Sequence, residues 1–361
     1  MPNLGDKMNN IPSKMKAFVV TEPKKWSVKE VEVPKPKYKE ILIQMETSGI
    51  CHTDLHAANF DWLVQPKYPL IPGHEGIGKV VALGEGCTRL KVGDRVCLAW
   101  LHDACGSCEF CLTGRETLCA NQNMSAYTKD GSFAEYAIGH EDFVGLVPEK
   151  LNIIEGAPIV CAGVTTYKAI KQTKVKAGNW IAVIGVGGLG QLAIQYATAM
   201  GYRAIGIDLS DEKCELAKKS GAEYAFNSKT NPNFIEEIIK VTNGGVHAVV
   251  NTSVHTSAAE QAMNMLRRGG RQVLVGLPSK DALGKDDFKV SIFWTVLFER
   301  EIAGSIVGTR QDLAEALEYA AEGKVKSEIT KVVSLNEVSE IFEKLQKGDF
   351  IGRAVIDFSK K

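Results

Sequence analysis

The amino-acid sequence predicts an α/β protein in which a doubly wound parallel-sheet domain is joined to a β-rich domain. The apolar run Ile181 to Ile184 leads directly into Gly185-Val-Gly-Gly-Leu-Gly190, and Gln191 to Met200 continues with helical periodicity. Strand-like and helix-like stretches then alternate: Arg203 to Ile207, Phe234 to Val241, Gly245 to Asn251, Ala258 to Leu266 and Arg271 to Gly276. Upstream, short β-rich segments are broken by turns such as Ile71-Pro-Gly73. A chain of 361 residues is long enough for about two domains. Residues 1–158 read as the β-rich domain, with a cysteine lobe at about 100–120. Residues 159–308 read as the parallel-sheet domain, and 309–361 as a return to the first, ending in a strand from Arg353 to Phe358.

Composition excludes several classes of function. Lys plus Arg and Asp plus Glu are both 43, so no bulk charge draws the chain to nucleic acid or to an anionic membrane. Residues 177–202 carry no charged side chain, but six glycines and Asn179, Gln191 and Gln195 interrupt them, as in a strand, a turn and a helix. Met1 to Lys14 is polar, lacks the apolar core of a secretory signal and reads as a flexible extension. A cytoplasmic protein is the expectation.

Nine cysteines, an odd number without a signal peptide, argue against a disulfide framework. Cys105, Cys108, Cys111 and Cys119 fall within fifteen residues, and their short spacers let neighbouring thiolates turn onto one ion. Four thiolates complete a tetrahedral zinc site, leaving no open position, so such a site is structural. An iron–sulfur cluster is the rival reading. A looser set, Cys51-His-Thr-Asp-Leu-His56, Gly73-His74-Glu75 and Cys161, offers two thiolates and an imidazole, which leave one zinc position free.

The glycine motif sits between a strand and a helix, and Asp208 follows 18 residues after its last glycine. That context makes it a dinucleotide fingerprint. Gly185 makes the tight turn, Gly187 lets a pyrophosphate approach the backbone, and Gly190 lets helix and strand pack closely, with Gly188 and Leu189 as further cofactor-binding candidates of the same turn. The helix N-terminus then offers free N–H groups to the phosphates. Asp208 can accept the adenosine ribose hydroxyls and repel a 2′-phosphate, which favours NAD over NADP.

These motifs, with Asp130-Gly-Ser-Phe-Ala-Glu-Tyr136, Cys161-Ala-Gly and Gly352-Arg353, stand in an order that resembles the zinc-dependent medium-chain alcohol dehydrogenases from about Met15 onward. The short segment between Cys119 and Asp130 gives a closer likeness to the tetrameric microbial branch. The resemblance implies a Rossmann coenzyme domain and a GroES-like catalytic domain. It also implies two zinc ions per chain, catalytic on Cys51, His74 and Cys161, structural on the four-cysteine lobe. By the same likeness, Asp54 orients the ligand histidine and Thr53 and His56 relay a proton through the nicotinamide ribose. His52 and Arg353 meet the pyrophosphate, Lys213 the adenosine ribose, and Thr165 and Val275 the nicotinamide. Glu75 lies behind the zinc, while Trp62, Trp100 and Leu277 narrow the substrate pocket. The implied activity is reversible oxidation of short-chain primary alcohols to aldehydes, with hydride passing from an alkoxide on the catalytic zinc to NAD, in a homotetramer.

Competing readings are weaker. Polyol relatives usually place a carboxylate where Cys161 stands, and NADP-dependent aromatic-alcohol relatives lack the acid at the Asp208 position. A non-catalytic zinc-stabilised binding protein would have no need of Cys51, Thr53, His56 and His74. A nucleic-acid-binding zinc module would need a basic, aromatic lobe, whereas Asp103, Glu109 and Glu116 surround Arg115.

Overall fold

The computed structural model describes residues 11–282, 284–350 and 352–360. The chain forms two compact units. One takes residues up to Cys161 together with Thr309–Ala321 and Ser327–Lys361; the other takes Ala162–Gly308 and Glu322–Lys326. The division therefore falls after Cys161 rather than at 158, and the short Glu322–Lys326 stretch leaves the C-terminal return for the second unit.

The first unit is built on a seven-stranded sheet whose centre is Glu40–Ile50. One edge of that strand pairs antiparallel with Gly76–Leu83. Its other edge pairs first with Tyr136–His140 and then with Arg353–Asp357. Side chains alternate across the sheet with period two. Ile41, Ile43 and Met45 pack on one face with Val80, Val96, Leu98 and Val144. Leu42 packs on the other with Met15, Val19, Ala82 and Tyr136. The first strand already starts at Lys14, pairing with Lys25–Glu32, so the end of the stretch read as a flexible extension is ordered sheet. Residues 1–10 of that stretch lie outside the described residues. Two short elements carry the functional side chains of this unit: a helix at His52–Asn59 and the lobe around Glu109–Leu112.

The second unit is a six-stranded parallel sheet. Its strand order across the sheet is Tyr224–Asn227, Arg203–Asp208, Trp180–Ile184, Val246–Asn251, Leu266–Leu274 and Glu301–Gly304. Numbered along the chain, this is the 3-2-1-4-5-6 order of a dinucleotide-binding sheet. Parallel strands covered on both faces need apolar residues at every position, and Trp180–Ile184 is buried throughout. The uncharged 177–202 stretch resolves into that strand, the glycine turn and the helix Gly190–Ala199. No single helix among the described residues is long and apolar enough to cross a membrane. The helix read as Ala258 to Leu266 runs Thr256–Met265, because Leu266 turns extended (ψ 135°) and opens the next strand.

Candidate active site and metal centres

In the lobe, Cys108 caps the short helix Glu109–Leu112 that carries Cys111, and a 3-10 turn at Glu116–Leu118 delivers Cys119. The four sulfurs lie within 4.8 Å of one another. Cys105 and Cys111 Sγ are 3.9 Å apart, which matches the edge of a tetrahedron with zinc–sulfur bonds of about 2.3 Å. Backbone N–H groups of Ser107 and Cys108 push the Cys105 thiol down to about 6. Burial and the neighbouring sulfurs push Cys111 up to about 12. The four-thiol set fits a closed zinc site. Glu116, which the sequence left without a task, is buried and accepts from the Arg310 backbone N–H and Nε at 3.2 and 3.1 Å, pinning the lobe to the segment at Thr309–Ala321.

A second donor set forms where the topology brings distant residues together. Cys51 is the N-cap of the His52–Asn59 helix, and Cys51, His74, Glu75 and Cys161 place one ligand atom each within 4.8 Å of the others. Asp54 organises this set from the first helical turn. Its Oδ2 accepts the Cys51 N–H at 3.0 Å; its Oδ1 accepts from Gly73 N–H at 2.9 Å and from His74 Nδ1 at 2.8 Å. A carboxylate on Nδ1 fixes the ring so that Nε2 carries the lone pair. Nε2 is buried and has no hydrogen-bond partner among the described residues, as a metal-ligating nitrogen requires.

Electrostatics reinforce the cluster. Hydrogen bonding from Cys161, together with His74, drives the Cys51 thiol well below its ordinary range, while Cys161 is driven well above it. Burial opposes charge on His74, but the Asp54 carboxylate and then the Cys51 sulfur override it and draw a proton to the imidazole, positive charge that a bound cation replaces at Nε2. Glu75 is pushed up to about 7 by burial, against the opposing pull of Arg353. Arg353 Nη2 donates to Glu75 Oε1, and both side chains are buried. Glu75 Oε2 is left without a partner among the described residues. A Cβ at position 49 would sit 1.8 Å from that oxygen, so Gly49 is what makes room for the carboxylate. The residues present fit a zinc held by two thiolates and an imidazole, and Glu75, paired with the buried Arg353, brings a carboxylate oxygen to the same cluster.

Thr53 and His56 lie on the same helix as Cys51. Asp61 Oδ2 lies 2.9 Å from His56 Nδ1, a contact that forms just past the end of the helix. Trp62 and Trp100 meet edge to face at 6.2 Å. Tyr127, also missed, completes an aromatic wall at 5.8 and 5.6 Å from them, and Trp100 stands 5.5 Å from the His74 ring. His52 opens the helix and is exposed.

The second unit holds the remaining sequence candidates. Gly185 adopts φ +87°, and a Cβ on Gly190 would lie 1.9 Å from the Gly185 carbonyl oxygen, so the turn admits only glycine at both places. Nothing lies within 4 Å of a Cβ built on Gly187, which is exposed and flanks the half-buried Gly188 and Leu189. The Gly190–Ala199 helix has no side-chain cap at its start, and its Gln191 N–H donates to the Gly187 carbonyl at 3.2 Å. Asp208 is buried at the end of its strand and accepts from the Val186 and Leu209 N–H groups, both at 2.7 Å. Lys213 Nζ stands 3.6 Å from the same carboxylate. Thr165 is buried on the Ala162–Gln172 helix, Val275 N–H donates to the Asn251 carbonyl at 2.9 Å, and Leu277 is exposed.

A doubly wound dinucleotide-binding unit and, in the same chain, a β-rich unit with two thiol-rich donor sets define a zinc-binding dehydrogenase. Residues 37–149 match the alcohol dehydrogenase GroES-like domain family, and residues 188–322 the zinc-binding dehydrogenase family. The chain is 51% identical over 343 residues to an alcohol dehydrogenase of Geobacillus stearothermophilus, covering 95% of this chain and 99% of that one. It is 48% identical to one of Moraxella sp., covering 96% and 100%. Among solved structures, the alcohol dehydrogenase of Aeropyrum pernix superposes with a TM-score of 0.83 at 29% identity, over 95% of this chain and 99% of that one. The chain belongs to the zinc-dependent medium-chain alcohol dehydrogenases.

Proposed function

We propose that this alcohol dehydrogenase uses NAD to oxidise short-chain primary alcohols reversibly to aldehydes. The observation that carries the reading is the Cys51–His74–Cys161 donor set, with Asp54 on Nδ1 and the His74 Nε2 lone pair free. When bound, zinc supplies Lewis acidity that makes an alcohol hydroxyl acidic, and the nicotinamide accepts the hydride. The chain's own residues do the rest. Asp54 holds the His74 ring at the one angle that presents Nε2. The buried Glu75–Arg353 pair sets the charge behind the cluster. Thr53 and His56 carry the alcohol's proton away along one helix face. Trp62 and Trp100 shape a narrow apolar wall that admits a short chain and crowds a branched one.

Asp208 supports NAD as the cofactor. Its carboxylate is fixed by two backbone N–H groups and cannot swing aside for a 2′-phosphate. His52, Thr165, Lys213, Val275, Arg353 and Leu277 keep the cofactor and pocket roles that the resemblance gives them. Two features support a homo-oligomer, and we extend the reading to a tetramer: the Glu301–Gly304 strand closes the sheet as an open edge. Beside it in sequence, the Ile292–Leu297 helix exposes Ile292, Phe293, Val296 and Leu297. Nine free cysteines support the cytoplasm as the compartment.

Initial rates of NADH formation test the reading, with NAD or NADP and alcohols running from ethanol to benzyl and secondary alcohols. Fast turnover with NAD and short primary alcohols is expected. Turnover confined to secondary or bulky alcohols would overturn the pocket reading, and a preference for NADP would overturn the role of Asp208.

A further inference from the structure

The His52–Asn59 helix ends in a way that places a carboxylate on the relay histidine. Phe60 adopts the left-handed conformation (φ 59°, ψ 54°), and the Asp61 N–H donates to the His56 carbonyl at 3.0 Å. This is the six-to-one hydrogen bond of a Schellman turn, which brings the residue three from the helix end against the second residue beyond it. Usually that contact is apolar; here it is His56 Nδ1 to Asp61 Oδ2 at 2.9 Å, with each side chain about one quarter exposed. On its open side the ring packs 5.2 Å from Trp62.

We propose that Asp61 is a positioning residue for proton transfer in alcohol oxidation: it holds His56 as the Nδ1–H tautomer, so that Nε2 carries the lone pair that takes the proton. The inference rests on the relay reading of His56 given above. In the step itself Nε2 gains the proton, the Nδ1–H stays on the Asp61 carboxylate, and the imidazolium then returns a proton to water. Asp61 forms no bond to substrate or cofactor. It acts by removing the ring's rotational freedom, the part an orienting carboxylate plays wherever a histidine is the base.

The test uses full-length enzyme labelled with [13C,15N]histidine, solid-state NMR at about pH 8.5, well above the ordinary imidazole range, and H56Q to assign the His56 signal by difference. The wild type is expected to show the Nδ1–H tautomer. Asp61→Ala should show a mixture or the Nε2–H form, with kcat for alcohol oxidation lowered about tenfold and the alcohol KM within about twofold. Asp61→Glu should restore both the tautomer and the rate, which a merely structural role would not link. A His56 already in the Nε2–H form, or a tautomer and rate unmoved by Asp61→Ala while H56Q is impaired, would overturn the proposal and leave the relay standing. An H56Q variant as active as the wild type would overturn the relay reading itself, whatever Asp61 does to the ring.

Discussion

The Cys105–Cys119 lobe and the Cys51–His74–Cys161 set each gather four donor atoms within 4.8 Å, yet they are built in opposite ways. In the lobe the donors come from fifteen consecutive residues, and their partners are the lobe's own backbone N–H groups. In the other set the donors come from three distant segments, meeting beside a carboxylate, Asp54, that hydrogen-bonds two of them. The lobe contains sulfur alone, which completes a tetrahedron. The other set replaces sulfur with nitrogen and oxygen and keeps an outer layer of charge, Asp54 and Arg353, that tunes it. A closed set is suited to stabilising a fold, a tuned set to chemistry.

The widest separation between the two should come from removing one sulfur in each. Cys161→Ser is expected to abolish alcohol oxidation while lowering the melting temperature little. Cys119→Ser should take one zinc from each chain and lower the melting temperature by several degrees or more, because the lobe's metal-binding energy is folding energy. Metal analysis beside calorimetry and initial rates checks both, and equal effects on rate and stability from the two variants would erase the distinction.

Next in size is Asp54→Asn. The amide still accepts from some donors but no longer offers His74 a charge, so activity and zinc affinity at the Cys51 set should fall roughly 10- to 100-fold, with the lobe's zinc retained. Retention of full activity would mean that the orientation of His74 does not depend on this carboxylate.

How legible each region was follows from the same contrast. Local spacing announced the lobe, and the strand–glycine–helix pattern announced the turn at Gly185 and the sheet around it. The Cys51 set was readable as a set of donor types, and its gathering at one point only with the resemblance, since nothing in spacing places Cys161 near residue 51; the sheet pairing of Glu40–Ile50 with Gly76–Leu83 does that for His74. Asp61 and Tyr127 escaped because each acts through a turn or a packing contact. A signal for Asp61 did exist: an acid five residues after a helical histidine, just past the helix end. Glu301–Gly304 was missed because it is a four-residue edge strand with little burial, too short and too exposed to show a β pattern.

A smaller effect concerns His102, which neither donor set uses. It is buried, and burial pushes its imidazole down to about 4. The unfolded chain therefore takes up this proton first. Stability is expected to fall as pH drops from about 6.5 toward 4, by at most about 3 kcal/mol from this group. The loss should level off below that range. His102→Asn should flatten that part of the pH profile of the melting temperature, and an unchanged slope would show that other groups govern acid unfolding.

The two-site account is tested most directly by stepwise chelation, following zinc content, alcohol oxidation and melting temperature on the same samples. Two zinc ions per chain are expected. Loss of the first should remove activity with little change in melting temperature, because the Cys51 set offers two thiolates where the lobe offers four. Loss of the second should collapse the melting temperature. Activity that survives departure of the first zinc, or a single zinc per chain in fully active enzyme, would contradict it.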